Sequence, residues 1–217
     1  MTDESGAEDS RRARRDLVRR GYDRISEAYR SDAAASGSAT ESTAQYEAWI
    51  SELVGHLAPG ARVLDLGCGA GVPASRLLVD WGFQVTGVDI SEVQIRRARV
   101  LVPSARFEQA DIVEWQCEPA SFDAIVSLYT LIHVPLEDQR VLLPRMAGWL
   151  RPGGYLLAII GHTAWTGTEE YLGAEMFWDH ADAETTLGWI GDAGFDQLWQ
   201  RFIPEGDGGL TLVLARR

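Results

Sequence analysis

From Arg62 to the C-terminus, short apolar runs alternate with stretches of helical period. RVLDLG (62–67), QVTGVD (84–89), ARFEQA (105–110), FDAIVSL (122–128) and YLLAIIG (155–161) are the strand candidates. Between the first two, Ala74, Leu77, Leu78 and Trp81 fall at i, i+3, i+4 and i+7. Pro73 suits the first turn of that helix and Gly82 its stop. Ser91 and Gln94 have capping-box spacing ahead of Ile95, Ala98 and Leu101. Leu136–Leu150 is helical in pattern, with Pro144 expected to kink or restart it, and Ala183–Ala193 forms a last helix stopped by Gly194. Two closing strands, FDQLWQRFI (195–203) and LTLVLAR (210–216), flank the short Gly-rich turn EGDGG. Alternating strands and helices predict a mostly parallel sheet, and the closing pair requires the last strand to run antiparallel to its neighbour. The expected fold is α/β: a Rossmann-like, doubly wound seven-stranded sheet with helices on both faces.

The front of the chain is softer. Residues 1–12 read as a disordered tail. Residues 13–44 read as a helix (Ala13–Tyr29, with Leu17, Tyr22, Ile25 and Tyr29 on one face) followed by a small, polar, flexible loop. A second helix, Tyr46–Leu57, opens the main domain of residues 45–217. Within that domain, residues 161–182 form a connection too long for a structural link, which marks it as an acceptor-side insertion.

Composition then narrows the possible partners. At 217 residues, one domain with a sizeable core is expected. No apolar stretch is long enough to span a membrane and no signal peptide is visible, so a cytoplasmic protein is expected. The net charge is −12; residues 1–20 carry six Arg against five acids, leaving −13 on the rest. Such a body repels phosphate backbones and anionic lipid, which argues against nucleic-acid and membrane partners. The one exception, the Arg11–Arg20 cluster, reads as the solvated start of a helix. Every basic residue is Arg, so no lysine is present for Schiff-base chemistry. Cys68 and Cys117 have no visible base partner, and the four His have no paired spacing with Cys, so no metal site is indicated.

The sharpest signal is VLDLGCGAG, residues 63–71. In an open parallel sheet, the loop after the first strand lies at the carboxyl edge, where ligands bind. Gly67, Gly69 and Gly71 allow a tight turn and a close backbone approach. A dinucleotide fingerprint would place its third small residue at position 72, but Val72 stands there. Asp65 precedes the first glycine; it would repel a pyrophosphate and attract an ammonium group. Asp89 ends the next strand, where a carboxylate accepts from both ribose hydroxyls. Asp111 follows the third strand and is placed to receive an exocyclic amine. Together these acids favour a nucleoside carrying an amine and no phosphate: a nucleoside amino acid rather than a nicotinamide dinucleotide.

VLDLGCGAG, then GVDIS, QADI, FDAIVSLYTLIHV and WLRPGGYLLAI, together resemble the class I S-adenosylmethionine-dependent methyltransferases over roughly residues 45–217. The resemblance implies S-adenosylmethionine as cofactor and S-adenosylhomocysteine as product. Carried over by position, Asp65 and the Gly67–Cys68–Gly69–Gly71 loop would hold the methionine part and Asp89 the ribose. Ile90 would pack on the adenine, with Asp111 and Ile112 on its other side, and Leu128 would lie beneath the sulfonium. Gln94 joins this cofactor set. Tyr22 and Tyr29 resemble N-terminal aromatics that close over the cofactor in small-molecule members.

Methyl transfer from a sulfonium releases a neutral leaving group, so alignment and exclusion of water supply most of the catalysis. A base matters only where the acceptor is protonated. The candidates are His133, His162 and His180, the last pairing with Asp179 or Asp182. The acceptor pocket is expected from Tyr129, His133, His162, Trp165, Tyr171, Phe177 and Trp178, an aromatic lining that suits a flat or apolar small molecule. A tRNA or protein methyltransferase, and a catalytically silent cofactor-binding protein, are the alternatives. A monomer or homodimer is expected.

Overall fold

The computed structural model describes residues 2–30 and 41–217; of the expected flexible loop (31–43), residues 31–40 lie outside the described residues and 41–43 are helical. Strands β1 (Arg62–Leu66), β2 (Gln84–Asp89), β3 (Arg106–Gln109), β4 (Phe122–Ser127), β5 (Leu150–Gly161), β8 (Asp196–Glu205) and β9 (Gly208–Arg216) form one seven-stranded sheet. Its order is β3-β2-β1-β4-β5-β9-β8. The first five strands are parallel, while β9 runs antiparallel to both β5 and β8. The strand order reverses direction beside β1, so the loops after β1 and β4 splay apart and leave a crevice at the carboxyl edge.

The period-2 alternation decides the two faces. Leu64, Leu66, Ile125 and Leu156 point into a core under α5 (Leu136–Trp149) and α6 (Ala183–Asp192). Val63, Val85, Ala124, Val126 and Leu157 point into a second core under α2 (Glu41–Val54) and α3 (Ala74–Asp80). Helix α4 (Glu92–Leu101) is started by Ser91, whose side chain accepts from the Gln94 N–H as the capping-box spacing predicts. It packs Ile95 and Ala98 on Phe107 and Val102. Pro73 sits at the N-cap of α3, and α5 runs through Pro144 without a break.

Two expectations are corrected. Residues 2–12 are not a disordered tail: helix α1 runs from Thr2 to Tyr29. Ion pairs hold its early turns, with Arg11 on Glu8 and Asp138. Its buried stripe carries Arg15, Val18, Ile25 and Ser26, whereas Leu17 is only half-buried. The long connection is also not irregular. It folds as a hairpin, β6 (Trp165–Tyr171) paired antiparallel with β7 (Ala174–His180). Leu172 and Gly173 turn it, both at positive φ (53° and 86°), as a two-residue type I′ turn requires. Helix α1 lies against β7: a Cβ on Gly21 would come 2.4 Å from the Met176 sulfur, so glycine is what lets the helix approach.

Candidate functional site

The loop after β1, the ends of β2, β3 and β4, and the face of α1 enclose one cavity at the carboxyl edge. Gly67, Gly69, Asp89, Ile90, Gln94, Asp111, Ile112, Leu128, Tyr129 and His133 line it, as do Tyr22 and Tyr29 from α1. Sequence reasoning missed Arg15, Val18, Thr130 and Val134, which also line it. Gly67 (φ 78°) has no room for a side chain: a Cβ there would meet the Thr130 hydroxyl at 2.0 Å.

Asp89 is fixed by backbone. Its Oδ2 accepts from Gly69 N–H and its Oδ1 from Ser91 N–H, both at 2.8 Å. Each carboxylate oxygen has a second lone pair, so both can still accept from a ligand. Burial raises its pKa to about 6, against the pull of those two N–H donors. Asp111 also faces the cavity and accepts from Val113 N–H at 3.0 Å and from Arg15 Nε at 2.7 Å. Arg15 is almost fully buried and also reaches Asp138. The residue read as part of a solvated Arg face is therefore the cation that bridges two carboxylates across the cavity wall.

Three members of the expected cofactor set stand behind the lining instead of in it. Asp65 is buried, accepts from the Ser75 hydroxyl, and has its pKa raised by burial to about 7. Cys68 is buried under Gly87, with burial pushing its thiol pKa far up. Gly71 (φ 74°) serves packing, since a Cβ there would lie 3.0 Å from the Phe107 ring.

His133 is held at both nitrogens. Its Nδ1–H donates to the Phe177 carbonyl at 2.6 Å, which leaves Nε2 to accept from the Tyr22 hydroxyl at 3.0 Å. Burial lowers its pKa to about 4, so the ring is neutral near pH 7. Around it the aromatics meet: Tyr22 with Tyr29 (5.2 Å between ring centroids), Tyr29 with Tyr171 (6.3 Å), Tyr171 with Trp178 (6.0 Å) and His133 with Trp178 (5.2 Å). Trp165 packs on Trp178, at the outer side of the hairpin. Tyr129, directly after β4, adopts φ 60°, a left-handed conformation that a bulky side chain takes only when its surroundings impose it.

The other two histidines are elsewhere. The ring of His162 lies against Thr211 and Phe202, in a separate groove beside α6. His180 lies against Gly161, and its Nδ1 is buried with no hydrogen-bond partner among the described residues. Its proposed acid partners are occupied: Asp179 accepts from Leu136 N–H and Thr166, and Asp182 caps α6. Neither histidine lines the cavity. Phe177 is buried beneath Arg14, so of the expected acceptor residues it supplies its carbonyl to His133 and not its ring to the cavity. Among the described residues, no cluster of His, Cys, Asp and Glu suits a metal ion, and no helix is long and apolar enough to cross a membrane.

The chemistry of the lining selects the ligand. Among the described residues that line it, the one arginine is already bound to two carboxylates, so its charge is not left to neutralise a pyrophosphate. Two apolar walls, Ile90 and Ile112, and two acceptor acids, Asp89 and Asp111, instead suit a flat base, a ribose and an exocyclic amine. These residues fit S-adenosylmethionine.

Residues 63–154 match the family of methyltransferase domains. The 27-O-demethylrifamycin SV methyltransferase of Amycolatopsis mediterranei is 41% identical over 106 residues, which is 46% of this chain and 38% of that protein. The chain spans about a third of the length of the first curated relatives it matches. An S-adenosylmethionine-dependent methyltransferase from Mesorhizobium loti superposes with a TM-score of 0.63 at 25% identity, over 77% of this chain and 96% of that one. The cyclase SpnF superposes with a TM-score of 0.71 at 21% identity, over 92% and 95%, and so shares the fold. With the seven-stranded sheet, the reversed last strand and the acid-lined crevice, these likenesses support the class I S-adenosylmethionine-dependent methyltransferase superfamily for this chain.

Proposed function

We propose that the protein transfers the methyl group of S-adenosylmethionine to a small, planar, aromatic or apolar acceptor. The observation that carries this reading is the continuity of the acid-lined cavity with the ring set of Tyr22, Tyr29, Tyr129 and His133. The cofactor supplies an electrophilic methyl on a cationic sulfur. The chain's own residues do the rest: Asp89 accepts from the ribose, Asp111 from the adenine amine, and Ile90 and Ile112 clamp the base. Tyr22, Tyr29 and the β6–β7 hairpin exclude water and fix the acceptor's plane, which is where the rate gain of an in-line displacement arises. His133 is neutral, with Nε2 directed at the Tyr22 hydroxyl. For a hydroxylated acceptor, that pair takes up the proton through Tyr22.

The small-molecule reading gains from the state of the front arginines. Arg11, Arg15, Arg19 and Arg20 all sit on carboxylates, so they do not form a free basic surface for RNA. The test uses methyl-labelled S-adenosylmethionine, the protein and a cell extract split into small-molecule, RNA and protein fractions. Label in the small-molecule fraction is expected; label confined to RNA or protein would overturn the assignment of acceptor class.

A further inference from the structure

Arg30, the residue after α1, is a cation placed beside rings of the site. Its guanidinium lies over Tyr29 (4.5 Å to the ring centroid) and over Tyr46 (5.5 Å). Nη1 donates to the Tyr29 carbonyl at 3.1 Å and Nη2 to the Tyr46 hydroxyl at 3.2 Å. Tyr46 in turn stacks on Tyr129 (6.2 Å), so the guanidinium is linked to two tyrosines that line the cavity, to Tyr29 directly and to Tyr129 through Tyr46. Unlike Arg11, Arg15, Arg19 and Arg20 of α1, Arg30 has no carboxylate within ion-pair distance among the described residues. Glu205, the acid of this corner, accepts from the Tyr129 hydroxyl.

A guanidinium has five N–H donors, and two are used here. Ring faces on two sides strip water from the charge and favour it through cation–π attraction, and such stacking uses the faces of the planar fork and not the edges that carry its N–H donors. Those ring faces are thereby occupied, so a second cation is repelled from this corner. A body of net charge −12 holds an anion only where a local cation overrides its field. We infer that Arg30 is a carboxylate anchor, pairing with the carboxylate of a ligand bound beside Tyr29 and Tyr129. Two ligands could carry that group: the amino-acid end of the cofactor, or an acidic planar acceptor. The inference rests on the proposed cofactor site, because that reading places a ligand against these rings.

The test compares the full-length wild type with Arg30→Gln and Arg30→Lys by titration calorimetry, after thermal melts confirm that each folds. One arm uses S-adenosylhomocysteine and its methyl ester, which differ by one charge. The second uses 1-naphthoate and 1-naphthamide on protein saturated with S-adenosylhomocysteine. A charge-assisted pair predicts a preference of about ten- to a hundredfold for the acid over its neutral partner. That preference should vanish in Arg30→Gln and largely return in Arg30→Lys. Its appearance in the first arm assigns the cofactor's carboxylate, and in the second the acceptor's. If Arg30→Gln changes neither preference while S-adenosylhomocysteine still binds, the anchor is overturned and the cofactor site stands. If the wild type does not bind S-adenosylhomocysteine at all, the cofactor site and the anchor fall together.

Discussion

The sheet and the helix that covers it are held by different forces. In the sheet, Val63, Leu64, Leu66, Ile125 and Val126 are wholly buried, and their contribution is dispersion and dehydration of apolar surface. Helix α1 buries few apolar groups, with Val18 and Ile25 the chief ones. It is tied down by polar links instead: Arg15 to Asp111 and Asp138, Asp23 to the Ser91 hydroxyl, Ser26 to Gln94, Arg97 to the Ser26 carbonyl, and Tyr22 to His133. Apolar burial is indifferent to what else is bound. Hydrogen bonds to Asp111, Gln94 and His133 are made to the groups that line the ligand cavity. The covering helix is therefore coupled to the state of the site in a way the core is not.

The largest effect should come from the sheet. Ile125→Ala removes a fully buried side chain between β4 and α5, and should cost about 2–5 kcal/mol of global stability in urea unfolding. All amide protons of the sheet should lose protection together. Loss confined to α1 would contradict the division drawn here.

Arg15→Met should act in the opposite manner. It leaves Asp111 without its cation and Asp138 with Arg11 alone, at about 1.5–3 kcal/mol for the charged hydrogen bonds lost. The loss should appear as faster hydrogen exchange in α1, with the protection of β1 and β4 unchanged. Uniform loss across the sheet would show that α1 belongs to the same cooperative unit as the core.

Asp89→Ala tests the seam between the two regions. It should weaken S-adenosylhomocysteine binding by about 1.5–3 kcal/mol with little change in sheet stability. The wild-type affinity should also fall as pH drops through about 6, because the protonated Asp89 loses acceptor strength toward the ribose. Asp65, raised to about 7, adds to the same trend if it faces the ammonium of the ligand. In Asp89→Asn the part of the slope near pH 6 should disappear; an unchanged slope would assign it to Asp65.

Most of the body was legible because its signals are local. Gly82, Ser91 and Gly194 stop or start helices at their own positions, and most of the parallel strands carry short apolar runs of the kind a buried sheet uses. The acids at the strand ends could be read because topology alone puts them at one edge. The hairpin at 165–180 was not legible, since Leu172 at positive φ is not a turn residue by type and only tertiary packing imposes it. The role of Arg15 was hidden for a similar reason. Its partners, 96 and 123 residues away, leave no periodic trace, and one arginine in a cluster looks like its neighbours. A cue did exist: Arg15, Val18, Tyr22, Ile25 and Tyr29 follow helical spacing, which puts Arg15 on the apolar stripe.

Tyr22→Phe offers the finest test, because it removes one oxygen from the joint between α1 and the site. The stability cost should be about 0.5–1.5 kcal/mol, the net worth of one hydrogen bond. Its sharper consequence is on His133. The Tyr22 hydroxyl donates to Nε2 and so stabilises the neutral ring; without it the pKa should rise from about 4 while staying below 6.5, because burial still opposes charge. A histidine whose pKa is lowered on folding contributes stability that is complete above about 6.5 and is lost as pH falls toward 4. That loss should be shallower in Tyr22→Phe. Asp65 and Asp89, raised on folding, contribute the opposite slope over the same range, so only the difference between variant and wild type isolates His133. The C–H resonances of the His133 ring followed by NMR from pH 3.5 to 7 would give its titration directly. An unshifted midpoint would mean that Tyr22 does not touch the neutral ring, and the proposed proton path from acceptor to His133 would lose its middle step.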